Sequence, residues 1–168
     1  SIVLIYGIHL ATLSFEAAAL GGVLFFRRIG SVWASGLHLG LSKSIVKFNK
    51  SREGLYIDAL DVGLFICALI FILSSVFENQ IFNVLFFEQD VELVTYFTVY
   101  VIAIIFNYLA CSSWLSEMHF SIANLTETIG VGIIFILSIY IYLQTGNVNF
   151  FWVVLSYGSL SVSLFSLI

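Results

Sequence analysis

His9 and Glu16 stand seven residues apart in an otherwise apolar stretch, two helical turns, and on one continuous helix they share a face. Histidine titrates near neutral pH and burial raises a glutamate, so the pair has the chemistry of a proton relay. The alternative is that each bonds a neighbouring helix or subunit. The second concentration of chemistry is cationic. Arg27, Arg28, Lys43, Lys47, Lys50 and Arg52 are the only basic residues, and Glu53 follows the last of them directly. Lysines at a helix end lift their ammonium groups to the membrane interface, where lipid phosphates lie. Arg52 beside Glu53 offers a planar fork for a phosphate or a partner's carboxylate. Lys43, Lys47, Lys50, Arg52 and Glu53 are therefore candidate contacts to lipid or a partner. Their other reading is the charged end of a helix-packing face.

No spacing in the chain makes a catalytic or metal site. His9, His38 and His119 fall in different segments, Cys67 and Cys111 lie mid-segment as small hydrophobes, and no CxxC pair occurs. Ligation of haem or copper by this chain is not expected, and no catalytic residue is assigned. Asp58 and Asp61, one turn apart, suit a helix N-terminus, where carboxylates meet the positive end of the dipole. A net charge of −4 without a free basic stripe excludes a nucleic-acid partner.

The elements that position these residues follow from composition. Hydrophobic residues make up 61% of 168, proline is absent and mean hydropathy is +1.09, well above the roughly half-apolar make-up of soluble domains. A helix needs about 20 mostly apolar residues to cross a bilayer core. Six segments approach that length: 2–26, 31–48, 62–87, 93–115, 126–143 and 150–168. The runs are apolar on all sides rather than alternating, which excludes a β-barrel and requires helices that satisfy their own backbone. The expectation is an all-α bundle of about six spans with short loops, divided into a first pair over 1–50 and four spans over 51–168. The first segment lacks the pattern of a cleaved signal peptide and is expected to be a retained span. Glu78 lies either past the end of a third helix near Phe77 or within a long, tilted one.

In the second segment Gly36, Gly40, Lys43, Lys47 and Lys50 recur every three or four residues and predict one helical stripe. Gly36-x-x-x-Gly40 is a small-residue pattern for close helix approach. The positive-inside rule puts the turn over 43–52 on the inner side. Strict alternation then places Arg27 and Arg28 in the preceding turn and the acidic 88–92 turn outside. The loop with Glu117 and His119 falls inside. Trp33, Tyr56, Tyr96, Trp114 and Trp152 fit interfacial aromatic belts.

From Gly36 onward the order of features resembles subunit 3 of mitochondrial cytochrome c oxidase. The run Val46-Lys47-Phe48-Asn49-Lys50-Ser51-Arg52-Glu53-Gly54-Leu55-Tyr56 is similar to that family's basic, aromatic end of the second helix with its Arg-Glu pair. Gly63-Leu64-Phe65-Ile66 and Phe71-Ile72-Leu73-Ser74-Ser75-Val76 resemble its third helix, and Trp114, His119 and Leu143-Gln144 are spaced like landmarks of its fourth and fifth. There are departures. Ser75 stands where the family has a membrane-embedded Glu, Glu88 near its helix-closing His, and Ser116 and Glu117 at its His pair. The tryptophans before Arg-Glu are missing, and the family's seventh helix would lie beyond Ile168. The resemblance implies a multi-pass protein of the mitochondrial inner membrane, a core subunit of the respiratory chain. It would bind phospholipids and pack on a catalytic subunit that carries the haem and copper. Its role would be to sustain proton uptake without redox chemistry of its own. Seventeen Phe with no Pro fit an AT-rich organellar genome.

Two other readings remain. The membrane arm of proton-pumping NADH dehydrogenase has a sixth subunit of similar length, recognised by a glycine-rich interruption of its third helix after a Tyr. Gly130-Val131-Gly132 is similar to that interruption. An independent small transporter would use helices broken at mid-membrane.

Overall fold

The computed structural model describes residues 2–37, 40–48, 55–78, 80 and 92–167. Among them every regular element is helical and no strand occurs. The helices are α1 (Ile2–Ser14), α2 (Ala17–Leu37), α3 (Leu41–Phe48), α4 (Leu55–Val76), α5 (Glu92–Ser116), α6 (Phe120–Thr145) and α7 (Val148–Phe165). α6 and α7 each contain a widened π-helical turn, over Thr128–Ile133 and Val154–Gly158. Stretches of α4, α5, α6 and α7 are long and apolar enough to cross a membrane, and the chain is a multi-pass membrane protein.

α5 is the axis of the bundle. In its apolar window 78% of residues are buried inside the protein, against 28% for α4, so α5 is shielded from lipid while α4 lines the periphery. Around it pack α2, α3, α4, α6 and α7. Thr98 and Ser112 are quiet because they bond their own helix. Thr98 Oγ1 donates to the Val94 carbonyl at 2.8 Å and Ser112 Oγ to that of Tyr108 at 2.6 Å. Phe26 fastens α2 to this axis, its ring lying 5.3 Å from Phe97 and 4.6 Å from Trp152 of α7. α1 packs across α6 instead.

Turns are set by local chemistry. Gly146 ends α6 in the left-handed region at φ +64° and donates to the Tyr142 carbonyl at 2.8 Å, a conformation glycine adopts without a Cβ penalty. Asn147 then caps α7, its Oδ1 accepting from Asn149 N at 2.9 Å. Residues 117–119, with Met118 at φ +65°, join α5 to α6.

The N-terminal third departs from the sequence expectation. The first break falls at Phe15 and Glu16, not near Arg27, because the Phe15 ring leaves the helix to stack on Tyr142 at 4.5 Å and meet Phe151 edge-on at 5.3 Å. Arg27 and Arg28 consequently lie at the middle of α2 and not in a turn. The stripe from Gly36 to Lys47 is not one helix. α2 ends at Leu37, Gly40 adopts φ +76°, and Lys43 and Lys47 belong to the separate α3. Among the described residues a Cβ at Gly36 would meet nothing within 4 Å, and the Gly36-x-x-x-Gly40 pattern makes no helix contact with them. The close approaches are elsewhere. A Cβ at Gly30 would lie 2.9 Å from the Tyr100 ring, and one at Gly63 would lie 2.7 Å from Leu109 Cδ1. α4 starts at Leu55, earlier than the apolar run, with Asp58 in its first turn, and ends at Val76 with Glu78 just past it.

Gly30→Leu should therefore destabilise the bundle by about 1–3 kcal/mol, the usual cost of overpacking. Gly36→Leu, in open space, should be nearly silent. Thermal unfolding of the two variants in detergent checks the difference, and equal losses would contradict the packing described.

Candidate functional site

The π-helical turn of α6 is the most unusual backbone in the molecule, and polar side chains from three other helices converge beside it. Ile134 N–H reaches back to the Ile129 carbonyl, five residues away, and so passes over the Gly130 carbonyl it would bond in a regular α-helix. Ser159 Oγ of α7 donates to that Gly130 oxygen at 3.1 Å. Arg27 of α2 donates through Nη2 to the Val131 carbonyl at 3.5 Å, and its guanidinium lies 4.0 Å from the centre of the Phe135 ring. Asn107 of α5 donates through Nδ2 to the Thr126 carbonyl at 3.4 Å. Its Oδ1 lies 3.6 Å from Cys111 Sγ, which also approaches the Ala123 carbonyl at 3.5 Å.

The sequence builds this convergence locally. Gly130 packs directly on Asn107, whose amide would collide with any Cβ at that position, and Gly132 gives the same room to Val3 of α1. Where side chains are absent the main chain is open to donors from its neighbours. Where lipid replaces water those donors matter, since an unsatisfied carbonyl in hydrocarbon costs several kcal/mol.

Arg27 is nine-tenths buried and holds a cation among apolar side chains. Its Nε is buried without a hydrogen-bond partner among the described residues. A cation–π contact and one long hydrogen bond only partly offset the loss of water. Beside it opens a cleft of about 400 Å³ between α1, α2, α5 and α6. Leu4, Ile8 and Leu24 form apolar walls, while Arg27, Arg28 and Glu127 bring charge. A second cavity of about 410 Å³ shares Leu4, Glu127 and Val131 with the first and adds Asn124 and Thr128. Arg28 and Glu127 are both exposed and line the same cleft, yet among the described residues no ion pair joins them.

The residues singled out from sequence lie apart from this cluster. His9 is on the exposed side of α1, while Glu16 is exposed in the break after it, so the two do not share one helix. Lys43 and Lys47 are exposed on α3, with Lys47 Nζ 5.0 Å from the centre of the Phe48 ring. Lys50, Arg52 and Glu53 lie outside the described residues, as does His38. His119 Nε2 is 4.0 Å from Glu117 Oε2, both exposed, and the His119 ring lies 6.1 Å from that of Trp114. Among the described residues no group of three or more His, Cys, Asp or Glu is placed to hold a metal. Arg27, Asn107 and Glu127 were not singled out. Their signal was available. Asn107 interrupts the apolar run from Val99 to Cys111, and no turn-forming residue precedes Arg27 in Leu24-Phe25-Phe26.

No family model matches the chain, and no curated protein or solved structure matches it.

Gly130 and Asn107 should be energetically coupled. Asn107→Ala should cost about 1 kcal/mol, the scale of interhelical hydrogen bonds in membranes. Gly130→Ala, which drives a methyl into the Asn107 amide, should cost about 2 kcal/mol. The double variant should be more stable than the sum of the two losses predicts. Unfolding by SDS in mixed micelles measures all three, and strict additivity would mean that the two residues do not touch.

Proposed function

We propose that the chain is a membrane subunit of a respiratory complex that carries no redox centre of its own, with subunit 3 of cytochrome c oxidase as its nearest type. The observation that carries this reading is the two-sidedness of α4. Its inner line, with Ala59, Gly63, Ile66 and Ser74, packs on the bundle. Phe65, Phe71, Ile72 and Val76 face outward, at 70%, 51%, 57% and 67% exposure. The stretches that resemble the oxidase family's third helix thus offer their large side chains to lipid or to a neighbouring subunit. α2 would add a fifth crossing toward the six expected, while α1, at 13 residues, is shorter than the about 20 that a span needs. At 21 residues, α2 is long enough to cross provided that Arg27 and Arg28 are sheltered by protein. The mitochondrial inner membrane, the lipid contacts at Lys43, Lys47, Lys50, Arg52 and Glu53, and haem and copper in partner subunits belong to this reading.

The π-helical turn favours a second reading. It contains Gly130-Val131-Gly132, the stretch similar to the glycine-rich interruption of the sixth membrane-arm subunit of NADH dehydrogenase.

Gentle extraction from native membranes followed by mass spectrometry of the complex separates the two. Haem-copper subunits co-migrating with the chain are the expected result, and flavin-bearing subunits would replace the first reading with the second. Within the oxidase reading, Arg52→Ala should lower the amount of assembled complex while leaving turnover per complex nearly normal. Loss of turnover in fully assembled complex would make Arg52 part of the chemistry instead.

A further inference from the structure

Adjacent residues on a helix point about 100° apart, so Arg27 and Arg28 approach the cleft from different sides of α2. Arg27 turns into the bundle, and Arg28 turns outward along the cleft. Both sit near the middle of α2, about 15 Å from either end at 1.5 Å per residue, beyond the reach of a snorkelling side chain. The cleft reaches Ile104 at the middle of α5, a helix long and apolar enough to cross a membrane, and holds these two cations and one carboxylate, Glu127, an excess of one positive charge. Charges in that position are expensive and are held by a partner charge or by water. Three observations meet at this point. Among the described residues the Nε–H of Arg27 is buried with nothing to accept it and the exposed Arg28 forms no ion pair, and about 400 Å³ of space lies beside both. Ser31 and Tyr108 line the same space and bring hydroxyl groups to a cleft whose other walls are aliphatic.

We propose that this cleft binds one monovalent oxyanion, a carboxylate or a phosphate, between Arg27 and Arg28. A guanidinium is shaped for such oxygens, and a single negative charge brings the cleft to neutrality. The aliphatic walls accept an alkyl or acyl substituent on the anion, so a free anion and a lipid headgroup present the same chemistry. The site does not depend on which complex contains the chain.

The test places a thiol in the cleft by Ser31→Cys, with Cys67→Ala and Cys111→Ser removing the native ones. The intact complex is extracted into phosphatidylcholine nanodiscs. Rates of modification are measured with a sulfonate-bearing and a trimethylammonium-bearing methanethiosulfonate, each scaled to a free thiol. The anionic reagent should react about tenfold faster, the scale on which a charged cleft concentrates a counter-ion. Arg28→Gln should bring the two rates together, and Arg28→Lys should preserve the preference. Slowing by inorganic phosphate identifies a free anion as occupant. Slowing only when phosphatidic acid is added to the nanodiscs identifies a headgroup. Equal rates untouched by Arg28→Gln would overturn the proposal, as would indifference to both phosphate and phosphatidic acid. A thiol that neither reagent reaches in the complex, but both reach in the unfolded chain, would show the cleft filled by a partner subunit and overturn it equally.

Discussion

A guanidinium in the middle of a helical bundle has to be given acceptors, and in a regular helix each carbonyl is already engaged by its own ladder and has only its second lone pair to offer. In α6 the ladder is shifted. Ile134 N–H bonds to Ile129, the Gly130 carbonyl is passed over, and the turn widens so that oxygens of adjacent residues face other helices. Ser159 of α7 takes one and Arg27 of α2 the next, at 3.1 and 3.5 Å. With Asn107 of α5 on the Thr126 carbonyl, three helices are tied to one stretch of α6 by polar contacts. Apolar packing alone specifies little between membrane helices, since lipid tails are as apolar as leucine. Directional bonds to a fixed backbone irregularity settle rotation and depth. The glycines that leave the backbone bare are part of the same device, because a side chain at 130 would push Asn107 away.

α5 is central for a related reason. A helix buried on every side must carry few polar groups or satisfy them itself. Thr98 and Ser112 do so by bonding to carbonyls one turn back. Asn107 reaches outward, and it does so toward the irregular turn of α6. The surrounding helices contribute rings to fill the gaps. The Phe26, Phe97, Tyr100 and Trp152 rings form one aromatic cluster across α2, α5 and α7. Offset and edge-on pairs of this kind add roughly 0.5–1.5 kcal/mol each beyond the area they bury.

Long apolar runs made the four later crossings legible, and their positions follow the segments read from hydropathy within a few residues at most ends. α4 begins early because a helix start tolerates exposed carboxylates such as Asp58, which hydropathy excludes from a span. The N-terminal third was not legible. Its break at Phe15 has no glycine or proline to mark it and is decided by the Tyr142 and Phe151 rings, more than a hundred residues along the chain. Its arginines read as a loop because burial of a cation is worth considering only when an acceptor is at hand. That acceptor is a carbonyl of α6. The Gly36 and Gly40 pattern misled for the opposite reason, since small residues permit close packing without requiring it.

The charges of this chain are few, and their meaning lies in the direction each one faces. Lys43 and Lys47 are exposed on a short helix, where water or phosphate can hold them. Arg27 and Arg28 are neighbours in sequence but are separated by the helical turn, and the two are stabilised differently. Arg27 has an aromatic face and a carbonyl, a neutral environment that lowers the cost of burial without cancelling the charge. Arg28 lines a cleft with Glu127, and no ion pair joins the two among the described residues. The cleft is walled on one side by α1, which seats on the π-helical turn through Val3 and Gly132 and is left in only slight contact with α2. The backbone irregularity that supplies Arg27 with its acceptor thus also seats the helix that forms the cleft's opposite wall.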